Sequence, residues 1–119
     1  MTVRIAILTL ISVLVLGGLF VLLRPNPKET SPGKRSFDLE ISEDGMSPTQ
    51  ISIREGDRVT LNVTTDSPVE MHVHGYDLEK EVEPGETTEI SFEADLTGRF
   101  PIEDHDTETE LGALVVEPR

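Results

Sequence analysis

Three histidines are the residues of this sequence whose type and spacing point to specific chemistry, and two of them lie two apart inside Glu70-Met71-His72-Val73-His74-Gly75-Tyr76. In an extended strand, residues two apart face the same side with roughly 7 Å between their Cα atoms, a spacing at which two imidazoles can share one divalent ion. His105 lies between Asp104 and Asp106 and is the candidate third ligand. The expected metal set is therefore His72, His74 and His105. Imidazole with carboxylate neighbours suits Cu(II) or another divalent metal such as Zn(II) better than soft Cu(I). A purely structural role fits the same residues, with the His74 ring bonded so that it pins its turn to the loop around His105. Met71 and Val73 have the opposite parity and are expected in the core. Gly75 reads as a backbone position needing conformational freedom, and Tyr76 as a cap on the sandwich end with a bonded hydroxyl.

Composition removes several function classes. The sequence has no cysteine, which excludes disulfides, thiolate metal sites, thiol nucleophiles and lipidation of an N-terminal cysteine. Serines and threonines are plentiful, but none sits in a nucleophile elbow, no glycine loop is built to cradle phosphate, and the acidic stretches read as a solvated face. The expectation is a protein that is not an enzyme. All 23 acidic residues lie C-terminal to Leu23, against eight basic ones from Lys28 onward, a net charge of −15 for that part. Nucleic acid and anionic membrane surfaces are poor partners for such a charge. It fits solubility or a salty environment, and equally the attraction of cations or of a protein partner with a basic surface.

The elements that must hold the histidines are strands. Apolar residues alternate in short runs at Phe37, Leu39 and Ile41; Ile51 and Ile53; Val59, Leu61 and Val63; Met71 and Val73; Ile90 and Phe92; Phe100 and Ile102; Leu114 and Val116. Period two repeated this often means β-structure. Turn chemistry separates the runs at Asp44-Gly45, Glu55-Gly56-Asp57, Asp66-Ser67-Pro68, Pro84-Gly85 and Thr97-Gly98. The fold class expected is all-β, a Greek-key sandwich of two antiparallel sheets with seven or so strands. With no Trp, one Tyr and four Phe, the core is modest and marginal stability is expected.

The N-terminal part is a different object. Ile5 to Leu23 carries no charge, and Thr9 and Ser12 are its only polar side chains. That length approaches the roughly 20 residues that cross a bilayer. Leu19-Phe20-Val21-Leu22-Leu23 runs directly into Arg24 without the small residues of a signal-peptidase site, so an uncleaved transmembrane anchor is expected. Basic residues flank both ends, and the signal-like position of the helix places the remainder of the chain outside, on the periplasmic or extracellular side. The organisation read from sequence is a membrane anchor at 1–24, a proline-rich flexible tether at 25–36 and a β-sandwich domain at 37–119.

The order of the later motifs adds a family resemblance. His74-Gly75-Tyr76, then Val82-Glu83-Pro84-Gly85-Glu86-Thr87-Thr88, then Ile90 through Phe100, and finally Leu111-Gly112-Ala113-Leu114-Val115-Val116 stand in an order that resembles the C-terminal half of cupredoxins and of the copper domain of oxidase subunit two. Met46 through Val59 is similar to their early strands. The resemblance implies a cupredoxin-like fold over the whole β-domain. His74 matches the family's first histidine ligand. The family's cysteine position holds Asp104, its second histidine falls near Thr107, and its methionine falls on Glu110; His105 lies in the same loop, off the pattern. A blue-copper centre needs the thiolate, so the resemblance implies no blue-copper electron carrier. It leaves two functions open: metal handling through His72, His74 and His105, or a metal-free adaptor that binds another membrane or periplasmic protein.

Overall fold

The computed structural model describes residues 2–24 and 31–119. One helix, α1 (Thr2–Leu22), belongs to one unit, and the β-domain, Ser31–Arg119, is a second. Within α1, Val3–Leu22 is 20 residues long and apolar enough to cross a membrane, properties that a secretory leader shares. Its large apolar side chains, from Val3 to Leu22, are exposed among the described residues.

Nine strands form the described β-domain: β1 (Lys34–Ser42), β2 (Gly45–Ser47), β3 (Gln50–Arg54), β4 (Arg58–Thr65), β5 (Val69–Val73), β6 (Leu78–Val82), β7 (Thr88–Glu93), β8 (Gly98–Asp104) and β9 (Thr109–Glu117). They make a four-stranded sheet in the order β2-β1-β4-β7 and a five-stranded sheet in the order β3-β9-β8-β5-β6. The alternating residues pack between the sheets. Leu39, Ile41, Ile51, Val59, Leu61, Val63, Met71, Val73, Ile102, Leu114 and Val116 are all buried, as period two requires.

The structure corrects three details of the sequence reading. The sheets are not purely antiparallel, because β1 pairs with β4 and β3 with β9 in parallel. The chain changes sheet between β2 and β3 and again between β3 and β4, and such a crossover brings back a strand running the same way. The described residues form nine strands rather than about seven; the short β2 and the charged edge strand β6 carry too little apolar alternation to be seen. Finally, β1 begins at Lys34 rather than Phe37, since Lys34, Arg35 and Ser36 pair with Arg58, Val59 and Thr60. Exposed polar residues at a sheet end leave no hydrophobic signal, which is why composition alone assigns these three to the tether. The rest of the expected tether includes 25–30, which lies outside the described residues.

The turn between β5 and β6 matters most for the histidines. Gly75 has φ +81°, the left-handed region that glycine enters without steric penalty. Tyr76 seats the turn: its hydroxyl donates to the Leu96 carbonyl at 2.7 Å and accepts from the Leu96 N–H at 3.0 Å. Its ring packs against Phe92 and Phe100 at centroid distances of 5.1 and 5.0 Å. Burial pushes the Tyr76 phenol above its ordinary value, reinforced by Asp95 and Glu55 against the lowering effect of the Leu96 backbone bond. Tyr76→Phe keeps the ring and removes both bonds, and is expected to cost about 1 kcal/mol in urea unfolding. An unchanged midpoint would mean that water replaces the hydroxyl without loss.

Candidate metal centre

His72 stands on the outer face of the five-stranded sheet, on β5, between β8 and the edge strand β6. Met71 and Val73 on either side of it are buried at 0% and 1% exposure, so alternation turns the His72 side chain outward, where 16% of it is exposed. Two neighbouring strands place carboxylates opposite it, Glu79 of β6 and Glu103 of β8. His105 begins the hairpin loop between β8 and β9, and its N–H donates to the Glu70 carbonyl at 2.8 Å, which ties the loop back to β5.

The side chains of His72, Glu79 and His105 converge. One ligand atom from each lies within 4.8 Å of the other two. The His72 and His105 rings stand edge to face at 5.7 Å, and His72 Nε2 is 3.9 Å from Glu79 Oε1. Donors bonded to one tetrahedral ion at about 2.1 Å stand roughly 3.4 Å apart. The three side chains therefore need to close by up to about 1.4 Å, which small χ rotations supply.

His74 is placed differently. β5 ends at Val73, so His74 is in the turn rather than the strand, with its N–H donating to the Pro101 carbonyl at 3.0 Å. Its ring lies beside that of His72, centroids 4.4 Å apart, but its Nε2 is turned to Glu103, 2.8 Å from Oε2. The structure thus gathers His72 and His105 about one point with Glu79, and sets His74 against Glu103. Sequence reasoning misses both glutamates. The expected carboxylates, Asp104 and Asp106, are part of the hairpin: Asp104 accepts bonds from the Asp106 N–H and the Thr107 hydroxyl. A four-residue turn placed at His74-Gly75-Tyr76-Asp77 is the local signal that pairs His72 with Glu79.

The surroundings are strongly acidic. Glu70 lies directly across from Glu81, and a cleft of about 180 Å³ beside them is lined also by Glu83 and Asp106. Like charges facing across a ladder destabilise it, and a bound cation relieves that repulsion. The donor set, two imidazoles with a carboxylate, fits a borderline divalent ion and does not fit a thiolate-dependent blue-copper centre.

Comparison with known proteins places the fold. No curated protein matches the sequence. Among solved structures, the chain is similar to a chain of a heme-copper terminal oxidase dimer, with 18% identity, TM-score 0.59, and coverage of 96% of this chain and 93% of that one. It is similar to the blue copper oxidase from Nitrosomonas europaea at 28% identity and TM-score 0.57, covering 72% of this chain but only 39% of the oxidase. The metal binding domain of the Streptococcus pneumoniae D39 Cu(I)-exporting P-type ATPase CopA is 15% identical with TM-score 0.61, over 76% of this chain and 99% of that domain. The family model for the cupredoxin-like domain matches residues 12–116; with its two-sheet sandwich and no cysteine for a blue-copper ligand, the chain belongs to the cupredoxin-like domain family.

Proposed function

We propose that this protein is a membrane-anchored, extracytoplasmic metal-binding module that holds Cu(II), or another divalent ion, through His72, His105 and Glu79, and that it is not an enzyme. The convergence of three ligand atoms within 4.8 Å of one another carries the reading. Copper is the favoured ion because imidazole donors bind Cu(II) above the other divalent first-row metals, and because copper recurs in the names of the structurally similar proteins. The acidic outer face raises the local concentration of cations. Three protein donors leave coordination positions for water, so the ion can pass to a partner by ligand exchange, which suits handling or delivery rather than storage. The anchor is α1, with the β-domain on the periplasmic or extracellular side.

The test is calorimetric titration of the full chain in detergent with Cu(II). Tight binding weakened at least tenfold by His105→Ala and by Glu79→Gln is expected, since loss of even a hydrogen-bond partner behind a metal ligand costs roughly 10–100-fold in affinity. Affinity unchanged in both variants sinks the metal reading. The function would then be the adaptor, for which the net charge of −15 from Lys28 onward selects a protein partner with a basic surface.

A further inference from the structure

A groove of about 520 Å³ opens along one side of the sandwich, lined by β1 of the four-stranded sheet and by the edge strand β3 of the five-stranded one. β2 covers β1 only at Glu40, Ile41 and Ser42, so from Lys34 to Asp38 β1 has β4 on one side and no strand on the other among the described residues. The Gly33 carbonyl accepts the Arg58 N–H at 2.8 Å. Backbone groups alternate sides along a strand, so the odd-numbered residues of β1 bond to β4, and the N–H and C=O of Lys34, Ser36 and Asp38 face the open side. The same rule applies to β3. The Thr49 carbonyl accepts the Ala113 N–H, and the Glu55 N–H donates to the Glu117 carbonyl, so the odd-numbered residues bond to β9 and the backbone of Ser52 faces outward. An unpaired edge of this kind is a template for one more strand.

The side chains around the groove decide which strand fits. Its floor is apolar, with Ile53 buried and Phe37 half-buried. Its rim is cationic, with Lys34, Arg35 and Arg54 set against one exposed carboxylate, Glu117. Of the eight basic residues from Lys28 onward, these three line the groove and a fourth, Arg58, lines the cleft beside it. Arg35 and Arg119 both pair with Asp57, which leaves Lys34 and Arg54 without an ion-pair partner among the described residues. The edge strands β6 and β7 have the opposite character: β6 carries Glu79 and Glu81, and β7 carries Glu89 and Glu93. Like charges facing across a ladder destabilise it, so those edges reject an acidic strand and the β1 edge accepts one.

We propose that the open edge of β1 binds an extended acidic segment of a partner protein, added as a strand to the four-stranded sheet. This surface is separate from the histidine set and does not depend on the metal reading. An antiparallel strand added there turns alternate side chains to its two faces. Its inward residues lie beside Phe37 and Arg35, and its outward ones beside Lys34 and Asp38. The pattern recognised is therefore an apolar residue opposite Phe37, followed two and three places later by carboxylates opposite Arg35 and Lys34, with Arg54 on the facing wall. Main-chain hydrogen bonds to the edge supply affinity that is indifferent to sequence, and the charged rim supplies the selection.

The test is an NMR titration, with amide hydrogen exchange, of the isotope-labelled full chain in zwitterionic nanodiscs. The probe is a capped octapeptide of alternating threonine and valine with two adjacent glutamates placed two and three residues after the last valine. Shift changes gathered at Lys34, Ser36, Asp38 and Ser52 are expected, with exchange of the Ser36 and Asp38 N–H groups slowed by about tenfold or more as they become bonded. Ser36→Pro removes an edge donor without removing a bond to β4, a place where proline is tolerated, and should abolish binding. Arg54→Glu leaves the edge intact and should weaken binding by about tenfold, and the same peptide with lysines for its glutamates should not bind. No response to the acidic peptide, equal binding of the lysine peptide, or affinity unchanged in Ser36→Pro or in Arg54→Glu overturns the proposal. Slow exchange of Ser36 and Asp38 before any peptide is added also overturns it, because another part of the chain then covers the edge. The same shifts produced by anionic lipid in the disc, and not by the peptide, assign the groove to the membrane surface instead.

Discussion

Replacing Asp57 by asparagine is expected to destabilise the β-domain by about 3 kcal/mol at pH 7, the order seen when one partner of a buried ion pair is removed. Asp57 is 1% exposed in the turn between β3 and β4, and its carboxylate organises chain segments far apart in sequence. Oδ1 accepts the Gly33 N–H at 2.9 Å, and Oδ2 accepts the Arg54 N–H at 3.2 Å. The Arg119 guanidinium donates to Oδ1 and also reaches the carbonyls of Glu55 and Ser31. Arg35 approaches Oδ2 at 3.5 Å from an exposed position, where screening leaves it little weight. The Gly56 N–H donates to the Ala94 carbonyl and the Ala94 N–H to the Asp57 carbonyl, which adds the end of β7 to the same knot. An asparagine offers one acceptor oxygen and turns its NH₂ toward groups that are all donors.

The pH dependence separates this charge from the many exposed carboxylates. Burial raises the Asp57 carboxyl, but the Gly33 and Arg54 N–H bonds, with Arg119 and Arg35, outweigh it and hold the group below its ordinary value of 3.8. A carboxyl lowered in the folded state stabilises that state above the unfolded value and loses the contribution as pH falls through the folded one. The stability difference between the unmodified protein and Asp57→Asn should therefore be constant from neutral pH down to about 5 and shrink progressively as pH falls through the ordinary value of 3.8 and on toward the lowered folded value. Urea midpoints of both proteins between about pH 2 and 7 measure it. A difference that stays constant to about pH 2, or that never reaches about 1 kcal/mol, would show that the carboxylate charge does not hold this knot together.

Asp57 also shows where the sequence stops being informative. Within Glu55-Gly56-Asp57 it reads as a turn residue, and nothing local marks it as the acceptor for Gly33 and Arg119, which lie far along the chain. The strands facing the core are legible because alternation is a local property: Leu39, Ile41, Leu61, Val63, Met71 and Val73 all point inward, as their parity requires. The edge strand β6, Leu78-Glu79-Lys80-Glu81-Val82, is not, because a strand at the rim carries charge along its length rather than an apolar face. The site divides in the same way. His72 points outward by parity and His105 lies in a turn-rich loop, but the approach of Glu79 and Glu103 depends on the register of two hairpins, one of which shifts between Ile102 and Glu103 and leaves Leu111 of β9 without a partner. Histidines are found by type; their carboxylate partners require the ladder.

The turn that sets one of those registers is open to a sharper test. Gly75→Ala is expected to cost about 3 kcal/mol, from two sources of similar size. An L-residue in the left-handed region costs roughly 1–2 kcal/mol, and Gly75 sits there at φ +81°. A Cβ at this position would also lie 2.5 Å from Cδ1 and 2.7 Å from Cε1 of Phe100, and overpacking of this kind adds roughly 1–3 kcal/mol. Phe100 cannot simply swing away, because its ring is packed edge to face on Tyr76 at 5.0 Å. Gly85, in the turn between β6 and β7, supplies the control: its φ is +87°, yet a Cβ there meets nothing within 4 Å. Gly85→Ala should then show the backbone cost alone, about 1 kcal/mol, and the difference between the two variants in urea unfolding isolates the Phe100 contact. Because Gly75 adjoins His74, the same substitution should move the imidazole off Glu103, with Gly85→Ala leaving that contact intact. Equal losses in the two variants would mean that Phe100 yields freely, and that the ring stack of Tyr76, Phe92 and Phe100 does not fix where His74 stands.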